Sequence, residues 1–216
     1  KPSNVANRVE FSLGNLETGF ASADVVIEKN FTTKPVHQGY IEPHAVVADA
    51  NPDGKVDIWC SSQGHFMVRT FISGLLKIDM SKIKVTAAEI GGGFGGKTTV
   101  YLEPLAVMLS SKAGRPVRMV MSREEVFRAS GPTSGAAITV KIGATKDGQI
   151  VAGDATLHFQ AGAWPGSPVG PAAMTAFAPY DIANVKVVGY DVVSNRQKVV
   201  AYRAPGAPIS EYGVES

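Results

Sequence analysis

Glu89-Ile90-Gly91-Gly92-Gly93-Phe94-Gly95-Gly96-Lys97-Thr98 is the stretch on which the reading of this chain turns. Five of the six residues from 91 to 96 are glycine, which leaves the backbone almost bare and free to adopt positive φ. Upstream, Ile83-Lys84-Val85-Thr86-Ala87 reads as a strand, and downstream Leu105 to Lys112 reads as a helix. Pro104 suits that helix's first turn, which lets the loop run on past the glycines. A glycine loop feeding a helix N-terminus offers unpaired N–H groups and a positive dipole end, the makings of an anion or cofactor cradle.

The run fits two known patterns at once. Gly91 to Thr98 matches G-x-x-x-x-G-K-[ST], the P-loop, and Gly91, Gly93 and Gly96 match the dinucleotide fingerprint G-x-G-x-x-G. So glycine-rich a run meets either pattern by chance. A P-loop also wants an Asp for Mg²⁺ at the end of a downstream apolar strand. Here Val117 to Met121 runs into Ser122-Arg123, and Asp191 is a loose substitute. The dinucleotide pattern wants an acid roughly 20 residues on, whereas Glu124 and Glu125 come later, at a helix start. Both matches are weak, and a P-loop nucleotide-binding module stays open as an alternative.

Composition narrows the classes. The 216 residues are 44% apolar, enough to bury a real core. The net charge is +2, with no Lys/Arg-rich block, which argues against nucleic acid as a partner. The single Cys60 excludes an internal disulfide, a C-x-x-C pair and a thiolate cage for iron–sulfur or zinc. His37, His44, His65 and His158 lack metal-ligand spacing, His37/His44 being the nearest to it, so no protein-held metal is expected. No run approaches the ~20 apolar residues of a membrane span. With no basic-then-apolar leader, the chain reads as soluble and cytoplasmic. It has no initiator Met and stops at Ile209 to Ser216, where a helix is starting, so it reads as a piece of something longer.

Residues 1–20 are polar and irregular and read as an arm or linker, with the domain proper over 21–216, one body or two α+β subdomains. Ala23 to Phe31 is a strand. Ala45–Ala50 and Lys55–Cys60 flank Asn51-Pro52-Asp53-Gly54, whose Pro and Gly make a turn between the arms of a hairpin. Gly64 to Leu76 follows a helical period. Ser122-Arg123-Glu124-Glu125 is a capping-box start. Strands follow at Ala137–Gly143, Ile150–Gln160 and Val185–Val193, with a long Gly/Ala/Pro-rich loop at Ala161–Pro179. Meandering strands with three or so helices give an α+β class, with mixed and antiparallel sheets and helices packed on them.

Taken together, the motifs resemble the molybdenum-binding large subunit of the xanthine dehydrogenase/aldehyde oxidase family, in its first molybdopterin-binding domain. The resemblance rests on Tyr40-Ile41-Glu42-Pro43-His44-Ala45 followed by Ser61-Ser62-Gln63, and on Gly91-Gly92-Gly93-Phe94-Gly95-Gly96-Lys97. It extends to Gly114-Arg115-Pro116-Val117 with Ser122-Arg123-Glu124-Glu125, and to Ala201-Tyr202-Arg203-Ala204-Pro205-Gly206-Ala207-Pro208. It implies a molybdopterin cofactor carrying molybdenum, in the cytosine dinucleotide form, and oxidation of an aldehyde or aromatic C–H. Iron–sulfur clusters and FAD would sit on partner chains or domains. Gln63 would hydrogen-bond the molybdenum oxo ligand and Arg203 would orient substrate or cofactor oxygens; these are the implied catalytic residues. Gly92, Gly93, Phe94, Gly95 and Gly96 would line the cofactor. Because the pterin holds the metal, absent His or Cys ligands do not count against it.

The sequence also departs from that family. Thr98 stands where purine-oxidising members carry a Glu, and Pro205 where they present a stacking Phe. The Arg203 loop lacks the copper-binding Cys of carbon monoxide dehydrogenases, and Ile209 replaces a common Gln. The family's catalytic glutamate is expected beyond residue 216, so the chain by itself is expected to be inactive. A fold-only piece that binds nothing is the blander alternative. Without the resemblance, Gln63 would pass for a cap or a solvated side chain, Arg203 for a surface loop residue, and Cys60 for a buried strand residue. Lys97 would be expected on loop carbonyls or solvent.

Overall fold

A computed structural model describes residues 3–216. The chain divides into two compact units, one built from the chain up to Val36 and from Pro132–Ser216, the other from His37–Gly131.

In the first unit the strands β1 (Val5–Leu13), β2 (Val25–Thr33), β7 (Ala136–Ala144), β8 (Ile150–Gly162) and β9 (Val185–Val193) form one sheet in the order β1-β9-β8-β7-β2. All neighbours are antiparallel except β8 and β9. A parallel pair needs a crossover, and α5 (Val169–Thr175) lies within it. Alternation in β7 and β8 turns Ile138, Val140, Leu157 and Phe159 to one face, where Val169, Ala172 and Ala173 of α5 and Val214 of α6 (Ala207–Val214) complete the core.

Two expectations fail here. The arm expected over residues 1–20 is β1 followed by α1 (Leu16–Ala21), capped by Asn15; residues 1 and 2 lie outside the described residues. β1 pairs with β9 from Val5 to Leu13. As an edge strand it is exposed along most of its length, so Asn7, Arg8, Glu10 and Ser12 hide the Val9-Phe11-Leu13 alternation that should have marked it. The loop expected over Ala161–Pro179 contains α5, which starts after Pro168. Proline is tolerated in a helix's first turn, and Val169, Ala172 and Ala173 give it a small buried face.

The second unit holds β3 (Ala45–Ala50), β4 (Val56–Cys60), β5 (Ile83–Thr86) and β6 (Val117–Val120), in the order β5-β4-β3-β6. β3 and β4 form the hairpin that Pro52 and Gly54 foretold, with Gly54 at φ +83°. α2 (His65–Leu76) carries the chain from β4 to the parallel β5, burying Val68 and Ile72. α3 (Glu103–Ala113) has Pro104 in its first turn and ends at Gly114 in the left-handed region. Val46, Ala48, Ile58, Val68, Ile72, Ile83, Ala106 and Val107 make this unit's core. α4 (Arg123–Ala129) begins with the full Ser122/Glu125 capping box. The mixed sheets with helices on them are the α+β class that the sequence indicates.

Candidate functional site

The glycine loop follows β5, but α3 starts only at Glu103. Neither the helix N-terminus nor its dipole is therefore what the glycines present. The donors belong to the loop itself. Gly92, Phe94 and Gly95 all have positive φ, at +93°, +51° and +98°, a run that L side chains resist. A Cβ on Gly93 would stand 2.5 Å from Gln63 Oε1, and one on Gly96 2.7 Å from Tyr40 Cε1. Bare backbone is needed here because other side chains fill the space.

Gln63 is the filler in the middle. Its Oε1 accepts from Gly95 N at 2.8 Å and from Lys97 N at 3.2 Å. Its own N–H donates to Lys97 O at 2.9 Å. With the oxygen committed, the carboxamide can only turn its Nε2 donor away from the loop. Gly96 N closes a tight turn on Gly93 O. Among the described residues, Gln63 Nε2 and the N–H groups of Gly92, Gly93 and Phe94 have no protein acceptor.

Glu42 holds the loop's entrance. Its backbone N–H donates to Gly91 O at 3.1 Å, and its Oε2 accepts from Gly91 N at 2.8 Å. The same Oε2 accepts from Lys97 Nζ at 2.7 Å. Lys97 is 1% exposed, with its ammonium 5.0 Å from the Tyr40 ring centre. Burial pushes the Glu42 carboxyl upward, but the Lys97 and Gly91 hydrogen bonds outweigh it and leave it below its ordinary value. The lysine expected on loop carbonyls or solvent is paired with a carboxylate instead. That also removes it from any phosphate, which is what a P-loop requires of it.

Beneath the loop lies a polar chain that motif reading did not foresee. His44, 3% exposed, faces Tyr40 Oη across 2.7 Å. Tyr40 Oη is 3.3 Å from Ser130 Oγ, which is 2.9 Å from His37 Nε2. Gly39 N donates to His37 Nδ1, so a neutral His37 carries its proton on Nε2 and gives it to Ser130. Ser130 in turn donates to Val126 O. Of its two contacts the shorter, 2.7 Å against 3.3 Å, assigns the Tyr40 proton to an unprotonated His44 Nε2. Burial, reinforced by Lys97 and His37, lowers His44 to about 4. The spacing of His37 and His44 thus serves hydrogen bonding, and Tyr-Ile-Glu-Pro-His was the only signal of it.

This geometry fixes a pH dependence. Between pH 6.5 and about 4 an unfolded His44 binds a proton and the folded one does not. Its contribution is therefore present above pH 6.5 and is lost as pH falls toward 4, about 3 kcal/mol in all. Urea unfolding at pH 7, 5.5 and 4.5 should show this loss, and His44→Gln, which accepts from Tyr40 without titrating, should flatten it. An unchanged slope in His44→Gln would assign the acid sensitivity elsewhere.

Arg203 belongs to the other unit. It lies exposed on the loop before α6, next to Ala204 at φ +54°, and lines a cleft of about 530 Å³ with Lys34, Tyr202 and Tyr212. Cys60 is buried at the end of β4, and burial pushes its thiol up to about 12, so it is not a nucleophile.

All of residues 1–216 match one protein family, described as a molybdopterin cofactor-binding domain. This chain belongs to that family. The domain is 29% identical over 218 residues to a probable xanthine dehydrogenase component of Bacillus subtilis, spanning 99% of the chain and 29% of that protein. It is 30% identical over 211 residues to the nicotinate dehydrogenase large molybdopterin subunit of Eubacterium barkeri, spanning 95% of the chain and 49% of that protein. Among solved structures it superposes on the aldehyde oxidoreductase of Desulfovibrio gigas with a TM-score of 0.90 at 27% identity, over 98% of this chain and 24% of that one. The molybdopterin cofactor-binding domain thus spans half or less of each of these relatives.

The residues present fit such a cofactor. An oxo-anion centre wants preorganised N–H donors and no side-chain bulk. The domain offers three unpaired loop N–H groups and an outward carboxamide nitrogen, on a loop in which Phe94 is the one side chain between residues 91 and 96. Among the described residues no group of three or more His, Cys, Asp or Glu is placed to hold a metal ion, and no helix is long and apolar enough to cross a membrane.

Proposed function

We propose that the glycine loop and Gln63 hold the molybdenum end of a molybdopterin cofactor in a cytoplasmic enzyme that hydroxylates an aldehyde or an activated aromatic C–H. The observation that carries this reading is the double hydrogen bond from Gly95 N and Lys97 N to Gln63 Oε1, which leaves Nε2 as a fixed, unpaired donor. The cofactor, in its cytosine dinucleotide form, supplies the two-electron redox centre. Gln63 Nε2 and the N–H groups of Gly92, Gly93 and Phe94 bind its oxygens, Gly95 and Gly96 line it with bare backbone, and Phe94, about half exposed, shields it from water. Arg203 supplies a cation for substrate or cofactor oxygens. Thr98 donates its hydroxyl to Gly95 O at 2.9 Å and so is committed to the loop, consistent with a substrate other than a purine. Iron–sulfur and FAD-bearing partner chains or domains would carry the electrons away.

Three measurements on the longer protein test this. Purified from molybdate-replete cells, it should contain molybdenum and pterin near one per chain, and calorimetry with sub-millimolar MgATP should show no saturable heat. Nucleotide binding that is lost in Lys97→Ala would overturn the reading. Gln63→Ala should keep the metal and lower kcat by roughly a hundred- to a thousand-fold, the range for one preorganised donor; full activity in that variant would remove Gln63 from the site.

A further inference from the structure

We propose that Lys97 and Glu42 are positioning residues: an ion pair, enclosed at the lysine, that ties the two ends of the glycine loop together and thereby sets the Gln63 carboxamide with its nitrogen outward. Every polar group of Lys97 has a partner. Its N–H goes to Gln63 Oε1, its carbonyl accepts from Gln63 N and from Ser62 Oγ, and its ammonium goes to Glu42 Oε2. Glu42 Oε2 also holds Gly91 N, so a single oxygen bridges the first glycine and the lysine that follows the last. The Gln63 side chain then spans the gap between them through Gly95 N. Glu42, Gln63 and Lys97 form one closed circuit around the loop.

A lone loop interaction of this kind could be ornamental; burial argues otherwise. The Lys97 side chain is fully enclosed while that of Glu42 is one-third exposed. Enclosing an ammonium is unfavourable unless its partner is held in place. Here the partner is held by the loop's own backbone, through Gly91 N and Gly91 O. Loop conformation and ion pair therefore form together or not at all. The role toward the cofactor rests on the function proposed above; the role toward the loop does not.

The test compares Glu42→Gln/Lys97→Met with the unmutated protein. The double variant removes both charges, so neither is left buried alone, and it should fold. In the 216-residue chain, amide hydrogen exchange of Gly91, Gly95 and Lys97 should accelerate at least tenfold, while Ala48 and Ile58 in the β3–β4 hairpin keep their protection. In the longer protein the variant frees the whole loop, with the N–H groups of Gly92, Gly93 and Phe94, rather than Gln63 alone, and should therefore lose at least four-fifths of its molybdenum, where Gln63→Ala keeps it. Gly148→Ala, on an open turn of the other unit, serves as a stability control that should change neither readout. Loop exchange within twofold of the unmutated chain would overturn the positioning role, as would equal acceleration in Gly148→Ala. Accelerated exchange with undiminished molybdenum would overturn its bearing on the cofactor. Unmutated protein that never carries molybdenum would overturn the functional reading, and the exchange comparison would still decide the loop.

Discussion

Gly93→Ala is expected to leave the domain folded and to disable its loop. A Cβ at this position would lie 2.5 Å from Oε1 and 2.6 Å from Cδ of Gln63, closer than any real contact. Gly93 is not among the positive-φ residues, so alanine brings no backbone strain there. What it meets is the far end of a flexible side chain, and that end will move. The stability cost should be modest, about 1–2 kcal/mol, because the exposed glutamine can swing into water while the buried Lys97 N–H loses its acceptor. Its departure leaves Gly95 N and Lys97 N without their shared acceptor and takes the outward Nε2 out of place. In the longer enzyme proposed above, Gly93→Ala should therefore reduce turnover at least a hundredfold, in the range for a lost preorganised donor, with a melting temperature within a few degrees of normal. Loss of folding would show that the loop tolerates no change; normal turnover would show that Gln63 does not act from where it sits.

Much of the fold was legible because its signals are local. Asn51-Pro52-Asp53-Gly54 specifies a turn by its own chemistry, and Ser122 and Glu125 specify a helix start by mutual hydrogen bonds. β9 runs from Val185 to Val193, as its apolar run indicates. The failures share a cause. β1 is an edge strand whose partner β9 lies some 180 residues away in sequence, and its exposed polar residues break the period. α5 is short, contains Pro171, and forms because the sheet beneath it offers an apolar face. Both are tertiary decisions. The site divides the same way. That a glycine run with Gln63 upstream belongs to one family could be read from motif order. That Oε1 of Gln63, rather than Nε2, faces the loop could not, since it depends on which N–H groups converge across residues 63–97. Lys97 was misplaced for the same reason: its partner, Glu42, lies 55 positions upstream.

The largest loss of stability is expected from Gly162→Ala, far from the loop. Gly162 ends β8, in the last pair of the parallel β8–β9 ladder, opposite Val193. Its φ is +80°, and a Cβ there would stand 1.9 Å from the carbonyl oxygen of Gln197 and 2.6 Å from its carbonyl carbon. These are backbone atoms and cannot swing aside. They are held because the returning chain is bonded to the strand end: Ser194 N donates to Gly162 O, and Val199 N to Ala161 O. Relieving the overlap means breaking that return, next to the buried Phe159 and Ala161. The positive φ alone costs about 1–2 kcal/mol; the collision should raise the total to about 4 kcal/mol or more, a range reached only through a few mechanisms of this kind. Gly148→Ala isolates the first part. It has φ +89° but nothing within 4 Å of its would-be Cβ. Urea unfolding of the two variants should differ by at least about 2 kcal/mol, or roughly 4–8 °C in melting temperature for a chain of this size. If they fall within about 0.5 kcal/mol of each other, the segment 194–199 is free to lift off the strand end, and the close approach at Gly162 is not a constraint on the fold.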